Sequence, residues 1–390
     1  MKGLCFFIAI LALCFSQPFF DIFLGERQEP GYIDLGNNNR MFYWLIQSRD
    51  RNQYEPLIIT LPGGPGCSGL EYAFEHNGPF RINSTTNTTL IRNHNSFNNF
   101  ADLLYVDQPF GTGFSYSFNE SRIPKYIYEA AEDFINFITQ FIQKYTHYQS
   151  VDIYFNGQGY GGHWAIIYTD YLLSHMATKF NIKGVLIGNP MLMPTQQILS
   201  YAPFMFSKKK ISFSQYVESY AASFLTGMFH YMGQPDIALM FYDMIYSIQA
   251  GQGDKKFSCY DITKPCHIEG CVDYNGLYTF INQRTVRMAL GVSETYPFSY
   301  CNSTVNHRMK NVILSDVTIP FVRLLDNFTI PVILFNGNND WLVNNEGLYK
   351  FLTDLVWSGQ EEYRRGKFTD IHSDGKLVGS FKRAKNLFHV

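Results

Sequence analysis

Short apolar runs and amphipathic stretches alternate along most of the chain. Apolar, aromatic and branched residues that stop at Gly, Pro or Asp are typical of strands, and such runs occupy residues 41–47, 57–61, 103–106, 153–155, 184–188 and 331–335. Apolar positions three and four residues apart predict a helix over residues 127–145, and helices are also predicted over 163–176 and 345–357. This order predicts an α/β protein with a mostly parallel sheet and crossover helices.

Residues 201–308 interrupt that alternation. The pattern there is irregular and helical, without a run typical of a strand. We interpret this segment as an insertion between two parts of one α/β core, residues 17–200 and 309–390.

The first residues are typical of a secretory signal peptide. Met1 and Lys2 precede an apolar stretch over residues 3–15, which is too short to span a bilayer and ends before Ser16. We therefore exclude residues 1–16 from the fold. No later uninterrupted apolar stretch reaches about 18 residues, so no membrane span is predicted after signal removal. The expected destination is extracellular or a lysosome-like or vacuole-like compartment.

Sequons and cysteines agree with a secretory route. The Asn-x-Ser/Thr sequons, which predict glycosylation there, lie at Asn83, Asn87, Asn119, Asn302 and Asn327. Without the signal peptide the cysteines are Cys67, Cys259, Cys266, Cys271 and Cys301. This odd number allows two disulfides and one free thiol. No CxxC or HExxH spacing occurs, so neither a metal site nor a cofactor is predicted.

Composition and charge exclude several classes of protein. The 390 residues are 46% hydrophobic and 17% aromatic, which is typical of a globular protein and excludes disorder and coiled coil. Lysines and arginines (31) nearly balance aspartates and glutamates (33), giving a net charge of −2. The longest basic run, residues 208–210, is interpreted as a solvated turn. We therefore predict no nucleic-acid partner.

A glycine-rich segment, NGQGYGG at residues 156–162, lies between a predicted strand and a predicted helix. It matches the GxGxxG pattern of dinucleotide-binding turns, but the acidic residue expected to follow is missing and nicotinamide chemistry is unusual in a secretory protein. A plain glycine-rich turn is a second interpretation. The third is a nucleophile elbow of the GxSxG type in which the central residue, Gly159, has replaced serine.

Two long motifs favour the elbow, because they resemble those of serine carboxypeptidases. Residues 56–68 read PLIITLPGGPGCS and residues 107–116 read DQPFGTGFSY, similar to that family's PLxxWLNGGPGCSS and DQPxGxGFSY. Shorter matches extend the resemblance over nearly the whole mature chain. It implies an α/β-hydrolase fold, with a mostly parallel central sheet, helices on both faces and an inserted helical lid at residues 201–308. It also implies disulfides between Cys67 and Cys301 and between Cys266 and Cys271.

The resemblance assigns the catalytic positions. The family's nucleophile, the serine of GESYAG, matches Gly159, which has no side chain to attack a carbonyl. The triad carboxylate matches Asp340, and the histidine of the family's GHMVP matches His389. The backbone N–H groups of the oxyanion hole are assigned to Gly64 and Tyr160.

The residues that grip a substrate's terminal carboxylate are altered as well. The family uses an asparagine and two glutamates, and the matching residues here are Pro62, Glu75 and Gln158. An amide at position 158 still donates to a carboxylate. The family also continues past its histidine into a turn and a helix, whereas this sequence ends at Val390. Two interpretations stay open: the natural protein tolerates a shortened edge of its sheet, or this sequence is part of a longer natural protein.

We therefore expect a serine-carboxypeptidase-like secretory protein without peptidase activity, which binds peptide C-termini or a protein partner. An active serine carboxypeptidase is the alternative. The sequence predicts no oligomeric state.

Overall fold

A computed structural model describes residues 22–50, 54–250, 257–266, 273–293 and 298–390. The predicted signal peptide lies outside the described residues, and so does Cys271, with the predicted pairing that involves it.

One large mixed sheet organises the described part of the chain. Its strands follow the order β1-β2-β6-β3-β8-β9-β10-β13-β12-β11, with β7 paired to β2, and β4 and β5 form a separate hairpin. The strands are β1 (Gln28–Asp34), β2 (Asn39–Ile46), β3 (Leu57–Leu61), β4 (Phe80–Ile82), β5 (Leu90–Arg92), β6 (Asp102–Val106), β7 (Tyr116–Ser117), β8 (Ile153–Gln158), β9 (Ile182–Gly188), β10 (Val332–Phe335), β11 (Thr369–Ser373), β12 (Lys376–Ala384) and β13 (Leu387–His389).

The centre of the sheet is parallel, as predicted. The strands from β6 through β3, β8, β9 and β10 to β13 pair in parallel. Antiparallel pairs close both edges, β1 with β2 on one side and β12 with β11 on the other. The parallel order brings the carboxyl ends of β3, β8, β9 and β10 to one edge, which is where ligands bind in open α/β sheets.

Thirteen α-helices lie in the described residues. They are α1 (Glu71–Glu75), α2 (Ile127–Lys144), α3 (Gly161–His175), α4 (Pro194–Gln197), α5 (Tyr201–Ser207), α6 (Phe213–Tyr231), α7 (Pro235–Gln249), α8 (Asn275–Ile281), α9 (Arg284–Ala289), α10 (Ser303–Arg308), α11 (Thr318–Asn327), α12 (Asn345–Asp354) and α13 (Gln360–Arg365). Helix α2 matches its predicted start and differs from its predicted end by one residue.

Helices cover both faces of the sheet. Along β2, Met41, Tyr43 and Leu45 belong to one core cluster, together with residues of α2, α3 and α11. The alternate residues Phe42, Trp44 and Ile46 belong to a second cluster with residues of α1, α8 and α9. Successive side chains of a strand point to opposite faces, so a strand buried on both faces reads as a continuous apolar run.

A third apolar cluster lies between the helices that follow β9 and the loop that follows β10. It surrounds the fully buried Trp341, whose ring lies 5.7 Å from that of Tyr201 and 5.6 Å from that of Tyr246. The backbone N–H of Trp341 donates to the carbonyl of Cys259 at 3.1 Å. The loop after β10 is thereby attached to the helical region.

Candidate active site

A cavity of about 970 Å³ opens at the carboxyl edge of the parallel strands. Each of four neighbouring strands contributes a loop to its wall: Gly63 and Gly64 follow β3, Gly159 follows β8, Asn189 follows β9 and Asp340 follows β10. Six residues assigned to catalysis or substrate binding from the sequence line this one cavity, namely Gly64, Glu75, Gln158, Gly159, Tyr160 and Asp340.

The turn between β8 and α3 has the geometry of an elbow. Gly159 has a φ of +55°, in the left-handed region that non-glycine residues rarely adopt. Its N–H donates to the Gly188 carbonyl at 3.0 Å, which fixes the turn against β9. A Cβ added to Gly159 would meet no atom within 4 Å, whereas one added to Gly157 would lie 2.3 Å from the carbonyl oxygen of Gly161. Close approach therefore requires glycine at position 157, while position 159 has space for a side chain but a strained backbone.

Backbone donors adjoin this turn. In the described part of the chain, no acceptor is paired with the N–H of Gly64 or with that of Tyr160. The two segments are close, because a Cβ on Gly63 would lie 3.6 Å from the nitrogen of Tyr160. Tyr160 also precedes the first residue of α3, where the positive end of a helix favours an anion. The arrangement is suited to holding a negatively charged oxygen.

Asp340 is buried and held by neutral donors. One carboxylate oxygen accepts from Asn189 Nδ2 at 2.7 Å, and the other accepts from the backbone N–H of Val343 at 2.9 Å. Burial raises the pKa of Asp340 to about 6, because desolvation disfavours the charged form. The role of Asn189 was missed from the sequence, although a polar residue that directly follows a parallel strand is a signal for this edge.

His389, which the resemblance matches to the catalytic histidine, contacts residues outside the cavity lining in this structure. His389 is the last residue of β13, where it pairs with Leu334 of the parallel strand β10, and it is not among the described residues that line the cavity. Its Nδ1 is 2.7 Å from the hydroxyl of Tyr363, and its ring packs against Tyr349 and Phe368. Burial and the nearby Lys382 lower the pKa of His389 to about 4. His389 stands at the carboxyl end of a parallel strand, and its role as the catalytic base stays a prediction from the resemblance.

A buried carboxylate next to two tyrosines forms part of the cavity wall and was not expected. Glu71 is buried, and its negative charge, after burial itself, raises the pKa of the hydroxyls of Tyr274 and Tyr300. His76 Nε2 lies 3.7 Å from Glu71 Oε1. The two tyrosines lie some 200 residues beyond Glu71 in the sequence, so short-range patterns do not reveal the contact.

Carboxylates dominate the charge of the cavity. Among the described residues that line it there is no lysine or arginine. Its acidic residues are Glu71, Glu75, Asp243, Asp273 and Asp340. Any ligand with a terminal carboxylate must therefore be met by neutral donors such as Gln158 and the backbone N–H groups.

The disulfide between Cys67 and Cys301 is confirmed, and it joins the loop after β3 to the segment before α10. Cys259 is buried and free.

Of the five sequon asparagines, Asn302 is the one whose side chain ties two segments together: its Nδ2 donates to the carbonyl of Gly111 at 2.8 Å. A glycan on Asn302 would be attached to that same nitrogen, which in this conformation donates its hydrogen bond to Gly111.

Comparisons with known proteins agree with the motifs. The family model for serine carboxypeptidases matches residues 18–390. Carboxypeptidase Y of Komagataella phaffii is 30% identical over 383 residues, covering 93% of this chain and 71% of that protein. Serine carboxypeptidase-like 48 of Arabidopsis thaliana is 30% identical over 374 residues, covering 92% and 72%.

A solved structure supports the fold. The crystal structure of a prohormone-processing carboxypeptidase from Saccharomyces cerevisiae matches with a TM-score of 0.81 at 24% identity, covering 93% of this chain and 86% of that one. The fold is that of the α/β-hydrolases, as the resemblance implied.

Proposed function

The chain belongs to the serine carboxypeptidase family, and we propose that it is a member that binds the C-terminal part of a peptide or of a protein partner without cleaving it. One observation carries the proposal: the residue at the elbow is Gly159, which has no hydroxyl. Acyl transfer of this type needs a nucleophile whose proton passes to a neighbouring base.

The surrounding residues offer no substitute nucleophile. The described residues that line the cavity include no serine and no threonine, and Cys67 and Cys301 are joined in a disulfide. The buried tyrosines are poor nucleophiles, because burial raises the pKa of their hydroxyls. The Nδ1 of His389 lies 2.7 Å from the hydroxyl of Tyr363, and His389 is not among the described residues that line the cavity.

Binding functions survive these changes. The N–H groups of Gly64 and Tyr160 and the amide of Gln158 are neutral donors that suit a carboxylate or a carbonyl oxygen. Five acidic residues in the same cavity oppose a carboxylate when they are ionised. We therefore expect affinity for a free peptide C-terminus to increase as pH falls from about 7 to about 5, where buried carboxyls such as Asp340 take up protons.

The alternative is an active carboxypeptidase that releases C-terminal residues. The observation that favours it is that Asp340 and the residues with open N–H groups, Gly64 and Tyr160, line the same cavity as Gly159. It would require a nucleophile brought in by a conformational change.

A secretory location is part of the proposal. The Cys67–Cys301 disulfide supports it, because such bonds persist in oxidising compartments. The predicted signal peptide points to the same route. The described residues contain no helix long and apolar enough to cross a membrane.

Labelling and binding together test the proposal. We expect a fluorophosphonate probe to give no adduct with the purified chain, and a blocked dipeptide to remain uncleaved at acidic pH. Stoichiometric labelling would refute the loss of catalysis. Calorimetric titration should show that a peptide with a free C-terminus binds and that the same peptide with an amidated C-terminus binds more weakly. Equal affinity for both would remove the C-terminus as the group recognised.

A further inference from the structure

Helix α6 exposes an apolar stripe. The residues on its outer side repeat at intervals of three and four, which places them on one face of a helix. They are Phe213, Val217, Tyr220, Phe224, Met228 and Tyr231, all exposed and reaching 92% exposure at Tyr231. At a rise of 1.5 Å per residue the stripe is about 27 Å long.

The buried residues of the same helix are small and mostly polar. They are Ser219, Ala222, Ser223 and Thr226, and the partly buried Tyr216 and Phe229 lie at their sides, against the third apolar cluster and Phe241. Ser223 and Thr226 donate to backbone carbonyls one turn earlier, and Gln249 of α7 donates to the hydroxyl of Ser219 at 2.8 Å. A helix in a soluble protein normally places its apolar side inward. The reversed order indicates that the outer face of α6 has its own partner.

Neighbouring residues extend this surface. Helix α7, which packs beside α6, exposes Met240 and Met244. At the other end, Phe206 of α5 is exposed and its ring lies 6.2 Å from that of Phe213. Within the described residues nothing covers these side chains, and none of the six stripe positions of α6 is acidic.

Three exposed lysines lie at the start of the stripe. Lys208, Lys209 and Lys210 connect α5 to α6, next to Phe206 and Phe213. The Nζ of Lys208 lies 5.3 Å from the ring centre of the buried Phe204, and that of Lys210 lies 5.2 Å from the ring centre of the buried Phe257. These contacts hold the lysines at the surface between the exposed Phe206 and Phe213, which precede and follow them in the sequence. Cations next to an exposed apolar stripe match a surface that presents negative charge above an apolar layer, which is the chemistry of an anionic lipid bilayer.

We propose that the outer face of α6, with Lys208–Lys210, docks this protein onto anionic membrane surfaces. The helix lies in the interface without crossing it, in keeping with the absence of a spanning helix among the described residues. In a dimer, the stripe of a second copy would offer no acidic residue to pair with Lys208–Lys210. An anionic lipid surface supplies that negative charge, so it is the better electrostatic match. Leu239 and Tyr242 on the other side of α7 line the cavity, so docking would hold the cavity close to the membrane.

Vesicle flotation of the purified full chain tests this. We expect binding to vesicles of phosphatidylcholine with phosphatidylserine, weaker binding to phosphatidylcholine alone, and loss of the difference at high salt. Replacing Phe213 and Phe224 by serine should lower partitioning about tenfold or more. Replacing the three lysines by glutamine should lower it about fivefold per lysine on the anionic vesicles alone.

A matched control is Phe118→Ser, because Phe118 is 78% exposed and lies outside the stripe. It should bind like the parent, and circular dichroism should show that every variant is folded. The proposal is overturned if the chain floats with neither vesicle, if it prefers neither lipid, or if Phe213→Ser/Phe224→Ser binds like the parent. A dimer that these substitutions dissociate, in a chain that ignores vesicles, would assign the stripe to a second copy and likewise overturn it.

Discussion

The variant Gly159→Ser tests two effects separately: how much the elbow backbone costs in the free energy of unfolding, and whether a restored hydroxyl restores peptide hydrolysis. The φ of +55° places residue 159 in the left-handed region, which costs a residue with a Cβ about 1–2 kcal/mol. Serine is also less free than glycine in the unfolded chain, which returns about 0.4–1 kcal/mol. Contacts of the new Cβ do not change the free energy of unfolding further, because a Cβ at this position meets no atom within 4 Å. We expect a net loss of about 0.5–1 kcal/mol in the free energy of unfolding.

Two other glycines calibrate this value. Gly375 has a φ of +74° and equally open space, and it lies in the β11–β12 turn outside the cavity. Gly375→Ser should therefore cost about as much as Gly159→Ser. At Gly157 a Cβ would lie 2.3 Å from a carbonyl oxygen, so Gly157→Ser should cost at least about 3 kcal/mol.

Urea denaturation measures the free energy of unfolding of all three variants, provided that its dependence on urea concentration, the m value, is the same as in the parent. The analysis of the elbow is wrong if Gly159→Ser is as stable as the parent or more stable, or if it is as unstable as Gly157→Ser. Gly159→Ser should show at most weak peptide hydrolysis, because His389 is not among the described residues that line the cavity and the residues matched to the family's carboxylate grip are changed at Pro62 and Gln158. Turnover at the rate of an intact carboxypeptidase would show that these changes matter little.

Three further predictions concern the residues around the cavity. Replacing Cys67 and Cys301 by alanine opens a loop with a sequence separation of 234, and unfolding curves should show a loss of about 5 kcal/mol in the chain-entropy model; a loss below about 1 kcal/mol would contradict it. His389→Ala should lower stability by about 2–4 kcal/mol at neutral pH and leave peptide affinity unchanged, and because the pKa of His389 is lowered to about 4, the parent should lose this contribution as pH falls from about 6.5 to about 4. Asp340→Asn should flatten the pH dependence of unfolding: the pKa raised to about 6 means that the parent is most stable with Asp340 protonated and loses stability as pH rises from about 4 to about 6, whereas an unchanged profile would place the titration elsewhere.

The parallel core was predictable because burial on both faces leaves a strong signal. The strand at residues 57–61 was predicted with the bounds that Leu57–Leu61 has in the structure, since all its residues are buried and it ends at Pro62. The hairpin of β11 and β12 was not predicted. Its residues are mostly exposed, so no apolar run marks it, and pairing with β13 determines its position instead.

Long motifs located one wall of the candidate cavity, whereas a short match supports the assignment of His389. Thirteen residues around Gly64 and seven around Gly159 located one wall of the cavity. The match at His389 rests on three residues, of which the structure places Phe388 and His389 in β13. The contacts of Glu71 with Tyr274 and Tyr300 depend on how the helical region folds over the sheet, which no local pattern records.

Asp340 has a structural reason to persist without a catalytic partner. In a working triad the carboxylate orients a histidine and stabilises its cation, but here both oxygens are already occupied by Asn189 and by the backbone of Val343. Those two bonds hold the loop that carries Trp341 into the third apolar cluster, where Cys259 and Tyr201 pack around it. Losing the carboxylate would leave buried donors without acceptors at a cost of about 1–3 kcal/mol each. The presence of Asp340 is therefore explained by the attachment of the helical region to the sheet, and it is not by itself evidence for catalysis.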